Sequence, residues 1–293
     1  METFVLENQQ IRAVIREKSV ELISLKKKET GREYLWSSDP KFWDWASPVL
    51  FPIVGALRDG EYQYQGKKYA MAQHGFARHR IFHTDRVSDQ EIWMSLEDDK
   101  ETYEIYPFHF RLEIGYRLED TSVKVMWRVH NKEEKPMYFS IGGHPAFMCP
   151  LDEKNKKTDC YLGFEGERDV LEYLMVDPKT RRIGENLHSF QLEDGMHRIT
   201  KGMFDYDALI FENYQIQTAY LAGPDKKPYI KMHTKTPLIA FWSPKEEAPF
   251  VCFEPWYGRA DGVKFNGSLE EREWGQSVES EGTFESFYTI EIM

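Results

Sequence analysis

The chain has 293 residues, 41% of them hydrophobic and 15% aromatic, with a mean hydropathy of −0.62. That supplies a sizeable core beneath a well-charged surface, and a single large β domain spanning residues 1–293 is admissible at this length. Its 38 basic and 49 acidic residues leave a net charge of −11, which opposes binding to nucleic-acid backbones and anionic membrane surfaces.

The opening Met1-Glu2-Thr3-Phe4 lacks the basic, apolar, small-residue pattern of a leader, and no apolar run reaches bilayer length, so a cytoplasmic protein is expected. The first clear hairpin signal is Tyr62 to Tyr64 and Lys68 to Met71 around the turn-like Gln65-Gly66-Lys67. Strict alternation follows. Phe110, Leu112, Ile114, Tyr116 and Leu118 interleave with Arg111, Glu113, Gly115, Arg117 and Glu119. After Glu119-Asp120-Thr121 the pattern resumes at Val123, Val125, Trp127 and Val129, which predicts an antiparallel pair of half-buried strands. Tyr288, Ile290 and Ile292 predict a closing strand. No long amphipathic helix, fixed-period repeat, extended linker or glycine-rich phosphate loop competes with this all-β reading.

Four short stretches break the alternation. In Gln73-His74-Gly75-Phe76-Ala77-Arg78, the glycine permits a sharp turn or a close backbone approach, leaving His74 and Arg78 able to face one concave space. Ser140-Ile141-Gly142-Gly143-His144-Pro145 surrounds a single histidine with residues of special backbone geometry. An imidazole of ordinary pKa about 6.5 both gives and takes protons near neutrality, which suits His144 to acid work. Asp207 precedes the apolar Ala208-Leu209-Ile210-Phe211, where a carboxylate can accept two sugar hydroxyls or simply shape a turn. Glu254 sits in Val251-Cys252-Phe253-Glu254-Pro255-Trp256-Tyr257-Gly258. It is either a desolvated general base or a strand-end carboxylate facing outward between aromatics that face inward.

The other histidines lack such settings. Cys149, Cys160 and Cys252 are odd in number and without ligand spacing, and His79 and His83 fall on a strand-like segment, so neither a disulfide framework nor a metal site is expected.

Taken together, His74-Gly-Phe-Ala-Arg78, Gly142-Gly-His144-Pro-Ala-Phe and Phe253-Glu254-Pro-Trp-Tyr-Gly resemble the aldose 1-epimerases, or galactose mutarotases, in particular their LacX-like branch. The resemblance runs in the family's order from Ser47-Pro-Val-Leu-Phe-Pro-Ile-Val-Gly55 to the segment Phe284 to Ile292. It implies a large antiparallel β-sandwich of the galactose mutarotase type. His144 would be general acid, Glu254 general base, His74 a second polarising contact and Asp207 a hydroxyl ligand. Anomer interconversion needs one base at the C1 hydroxyl and one acid at the ring oxygen, and it needs no cofactor. Glycoside hydrolysis would instead favour two carboxylates at a set separation. Trp43, Trp45, Trp242 and Trp256 are candidate faces for the apolar side of a sugar ring.

The sequence departs from the family at Ala56, where an arginine is usual. If Gly55 to Gly60 were a strand, Arg58 would share a face with Ala56 and reach the site about 6 to 7 Å further along. Arg58 and Arg78 near His74 would also suit a sugar phosphate, since guanidinium groups match phosphate oxygens bidentately. The expected partner is therefore a small sugar or sugar phosphate, bound by a monomer or homodimer. A hexose-6-phosphate mutarotase and a non-catalytic sugar-binding protein are the alternatives.

Overall fold

The computed structural model describes residues 2–293; Met1, the first residue of the segment read for a leader, lies outside them. The predicted hairpin forms as strands Phe110–Glu119 and Ser122–Asn131, paired antiparallel with Val125 opposite Tyr116. Strand Thr283–Ile292 adds to its other side. These three strands are the middle of a nine-stranded antiparallel sheet that continues through Glu91–Glu97 on one flank and Pro228–Thr234 on the other. The alternation read from the sequence has a direct cause: Leu112, Ile114, Val123, Val125 and Trp127 enter the core while Arg111, Glu113 and Arg128 stay at the surface in ion pairs.

An eight-stranded sheet faces it. Along its path lie Val170–Met175, Leu209–Phe211, Leu238–Trp242, Phe250–Tyr257, Ile141–Gly143 and Val49–Leu50, with Ala146–Met148 also paired to Phe250–Tyr257. Aromatic rings pack edge to face between the two sheets: Phe164 of the first meets Phe241 of the second at 5.6 Å, and Trp127 meets Tyr257 at 6.5 Å. The fold is thus the expected β-sandwich. Its only α-helix among the described residues is the six-residue Lys100–Ile105, started by a capping box between Asp99 and Thr102. The Tyr62 hairpin spans Glu61–Tyr64 and Lys67–Ala70.

The second sheet is buried on both faces. Ile239, Phe241, Val251, Phe253, Leu209 and Phe211 point into the sandwich core, whereas Leu238, Ala240, Ile210 and Trp256 form a separate apolar layer on the far side. Its strands consequently read as continuous apolar runs rather than alternating ones. Loops fold over that far side and enclose the cavity described next.

Candidate active site

Strand register positions the two central residues. Gly142 pairs with Trp256 and Ala146 with Cys252, and the register is unshifted across the three residues between them, which sets His144 opposite Glu254. On the other side of Glu254 the paired residue is Ala240, too small to fill the space above the carboxylate. Glu254 lies within the strand, not at its end, and alternation does turn it away from the Phe253 face. The side it turns to is walled rather than solvated, and only 1% of the residue is exposed.

His144 Nε2 lies 3.0 Å from Glu254 Oε2. The contact is poorly angled for a hydrogen bond, and Glu254 Oε2, His144 Nδ1 and Trp256 Nε1 are all buried without a partner among the described residues. Burial pushes the Glu254 carboxyl well above its usual range, helped by the Asp207 charge. Burial likewise lowers His144 to about 3, with Arg78 adding to the effect. Both groups are driven toward their neutral forms, which leaves one proton for the pair. Trp43 and Trp242 pack on the His144 ring at 4.7 and 5.5 Å between centroids and hold its orientation.

His74 reaches the same space from a docked turn. Its backbone N–H donates to Gly55 O at 3.0 Å, and the N–H groups of Phe76 and Ala77 both donate to Phe51 O. Gly75, at φ +69°, touches that segment so closely that a Cβ would come 2.3 Å from Phe51 O. His74 itself sits at φ +67°. Gly55 N–H donates to its Nδ1 at 3.2 Å, which puts the proton of the neutral ring on Nε2, 3.2 Å from the Gln73 side-chain amide. Burial and the neighbouring His144, Arg78 and Arg181 keep this imidazole neutral. The two histidine rings stand 5.8 Å apart and nearly perpendicular.

The cavity, about 210 Å³, is lined by His74, Arg78, His144, Asp207 and Glu254 among others, so five of the six sequence-derived candidates converge on it. Asp207 sits at φ +74° and accepts its own chain's Ala208 N–H at 2.9 Å; burial raises its carboxyl pKa and Arg181 opposes that. Arg78 donates to Gln73 O at 3.0 Å and lies over the Trp45 ring. Trp43, Trp242 and Trp256 line the cavity; Trp45 does not, and packs instead on His79.

Arg58 is a correction. Residues Arg58–Gly60 form a 3₁₀ turn with Asp59 at φ 55°, so the strand periodicity that would align Arg58 with Ala56 is absent. The Arg58 N–H donates to Asp261 Oδ2, and its half-exposed side chain pairs with Asp59 in a different cleft. Ala56 does line the cavity. The cationic residue that reasoning from sequence missed is Arg181, at φ 58° in the turn after Val170–Met175, its N–H held by Asp177 O. Asp177-Pro-Lys-Thr-Arg181-Arg reads as an ordinary charged turn, and nothing local marks it.

Ligand spacing along the sequence also hides a cluster. The ligand atoms of His144, Cys252 and Glu254 lie within 4.8 Å of one another, because Cys252 and Glu254 share a strand face and His144 is carried on the adjoining chain. Chemically the arrangement offers one buried acid–base pair, flanked by a neutral imidazole, a carboxylate and two guanidinium groups.

Comparison with known sequences assigns this β-sandwich and its cavity to a family. Residues 2–274 match the aldose 1-epimerase family, and the chain belongs to that family. The chromosomal and plasmid LacX proteins of Lactococcus lactis subsp. lactis are each 28% identical to it, covering 99% of both chains. Among solved structures, a galactose mutarotase related enzyme from Lactobacillus acidophilus superposes with a TM-score of 0.93 at 29% identity, covering 100% of this chain and 97% of that one. A galactose mutarotase-like protein from Lactobacillus casei ATCC 334 gives 0.93 at 28% with full coverage of both. No helix among the described residues is long and apolar enough to cross a membrane.

Proposed function

We propose that the protein is an aldose 1-epimerase that interconverts the α and β anomers of an aldohexose. The observation that carries this is the His144–Glu254 pair, 3.0 Å apart at the cavity wall, with Glu254 Oε2 and His144 Nδ1 each lacking a hydrogen-bond partner. A pyranose entering the cavity supplies the missing partners: its C1 hydroxyl to Glu254 and its ring oxygen to His144.

Burial favours the neutral pair with the proton on Glu254; in the reactive form that proton has passed across the 3.0 Å contact to His144. Glu254 removes the proton from the C1 hydroxyl as His144 protonates the ring oxygen, the C1–O5 bond breaks, and the open-chain aldehyde forms. Rotation about C1–C2 turns the other carbonyl face toward the C5 hydroxyl. His144 then takes the C5 hydroxyl proton and Glu254 returns its proton to O1, which closes the ring as the other anomer and restores the pair. His74 Nε2–H, once released from the Gln73 amide beside it, is a donor to the developing charge, and Asp207 accepts sugar hydroxyls. The cavity is smaller than clefts that take drug-sized ligands, which suits a single sugar ring.

A second reading has its own support. Arg78 and Arg181 both line the cavity, and neither is in an ion pair with any described residue, in a chain of net charge −11. Unpaired guanidinium groups at a sugar site favour a phosphorylated aldose, which they bind through paired N–H donors. Polarimetry on freshly dissolved α-glucose, α-galactose and α-glucose 6-phosphate tests both. Acceleration of at least one supports epimerase activity, and preference for the phosphate supports the second reading. Saturable sugar binding with no acceleration of any of them would replace the enzyme with a sugar-binding protein.

A further inference from the structure

We propose that His144, Cys252 and Glu254 form a zinc-binding site whose occupation switches the acid–base pair off. The inference rests on the geometry of the cavity floor and goes beyond the epimerase reading.

The three residues come together through sheet pairing, not through a local motif. Cys252 and Glu254 are two apart on strand Phe250–Tyr257 and project from one face, and His144 adjoins them across the strand pairing. Their ligand atoms lie within 4.8 Å of one another. An ion at zinc's usual bond lengths of about 2.0 to 2.3 Å from each donor requires ligand atoms only slightly closer together, which rotation of the Glu254 and Cys252 side chains supplies.

The donors are also free to bind. Glu254 Oε2 has no hydrogen-bond partner although the residue is 1% exposed, and no lysine or arginine pairs with it. Cys252 is a free thiol, fully buried. A nitrogen, a thiolate and a carboxylate oxygen suit a borderline ion such as Zn²⁺ over the hard Mg²⁺ or Ca²⁺, which favour oxygen ligands alone. Charge balances as well: neutral imidazole, thiolate and carboxylate offset the two positive charges, so the occupied site is neutral among buried groups. Metal binding takes the thiolate and carboxylate forms of these donors and therefore releases protons.

His144 and Glu254 line the cavity, whereas Cys252 is fully buried and does not, so the three donors hold an ion beneath the cavity wall and leave its fourth position to a water. The same three bonds engage the Glu254 oxygen and the imidazole that anomer exchange requires, so the metal-bound form is inert in that reaction. Zinc is therefore expected to act as an inhibitor.

The test uses the full chain stripped with a chelator. Zn²⁺ is titrated against a fluorescent chelator, native mass spectrometry gives the stoichiometry, and Co²⁺ serves as a spectroscopic probe for a thiolate ligand. The expected result is one ion per chain, a sulfur-to-cobalt charge-transfer band, and no response to Mg²⁺. Cys252→Ser retains His144 and Glu254, and should bind zinc about 100-fold more weakly or worse while losing the cobalt band. An unchanged melting profile without metal shows that this variant is folded. Absence of stoichiometric zinc binding, or binding unaltered by Cys252→Ser, overturns the site. Because binding is read without any sugar, a protein that binds zinc but turns over no aldose sinks the epimerase reading and leaves the site standing. Zinc binding through Cys252 that leaves a measured epimerase rate unchanged overturns the switch.

Discussion

Replacing Glu254 with glutamine retains the side chain's shape and removes its basicity. No other carboxylate in the cavity is placed to act in its stead: Asp207 is engaged by Ala208 N–H, and it is Glu254 that lies 3.0 Å from His144 Nε2. General-base catalysis is worth about 10²- to 10⁴-fold, and the whole of it should be lost, which raises the barrier by about 3 to 5 kcal/mol. Stability should move the other way. The folded-state pKa of Glu254 is raised above its ordinary 4.5, so its contribution to stability is complete below 4.5 and is lost as pH rises through the folded value. Glutamine has no such loss, and Glu254→Gln should melt no lower than the wild type at neutral pH. Polarimetric rates for fresh α-anomers, measured beside thermal melts, give both quantities. A variant within about twofold of the wild-type rate would remove Glu254 from the mechanism, whereas a slow variant that also melts early would show damage to the fold.

Three further outcomes follow from the same geometry. The pKa of His144 is lowered from 6.5 to about 3, so its contribution to stability is complete above 6.5 and is lost as pH falls toward 3; His144→Asn should flatten that acid limb in denaturant titrations across pH while abolishing anomer exchange. At Gly75 an added methyl meets Phe51 O at 2.3 Å on a left-handed backbone, and Gly75→Ala should lose about 2 to 5 kcal/mol in urea unfolding, with displacement of His74. Arg78→Met and Arg181→Met should each raise KM for glucose 6-phosphate about 10-fold or more with little effect on glucose, if the phosphorylated reading holds. An equal effect on both sugars would count against a phosphate between these residues.

The nine-stranded sheet was legible because its central strands are wet on one face: Phe110 to Leu118 and Val123 to Val129 must alternate to satisfy core and solvent at once. Leu209–Phe211 and Leu238–Trp242, covered on both faces, carry no such signal. His74 and His144 stood out because glycine neighbours mark backbone that approaches something closely, and the contact of Gly75 with Phe51 is that approach. Glu254 was ambiguous for a sound reason, since alternation gives its direction but not whether that side is water or a wall. Arg58 misled because periodicity was carried through what proves to be a turn. Arg181 was invisible, in a turn that looks solvated, because it acquires its setting only from chain segments distant in sequence.

The central claim is that the His144–Glu254 pair exchanges anomers. It is tested most directly by two-dimensional exchange NMR on glucose, galactose and glucose 6-phosphate at anomeric equilibrium, with the wild-type chain present in catalytic amount. Cross peaks between the α and β anomeric protons of at least one sugar, which vanish with Glu254→Gln, are the predicted result. Spectra without cross peaks for every sugar, or cross peaks that persist undiminished in the variant, would contradict it.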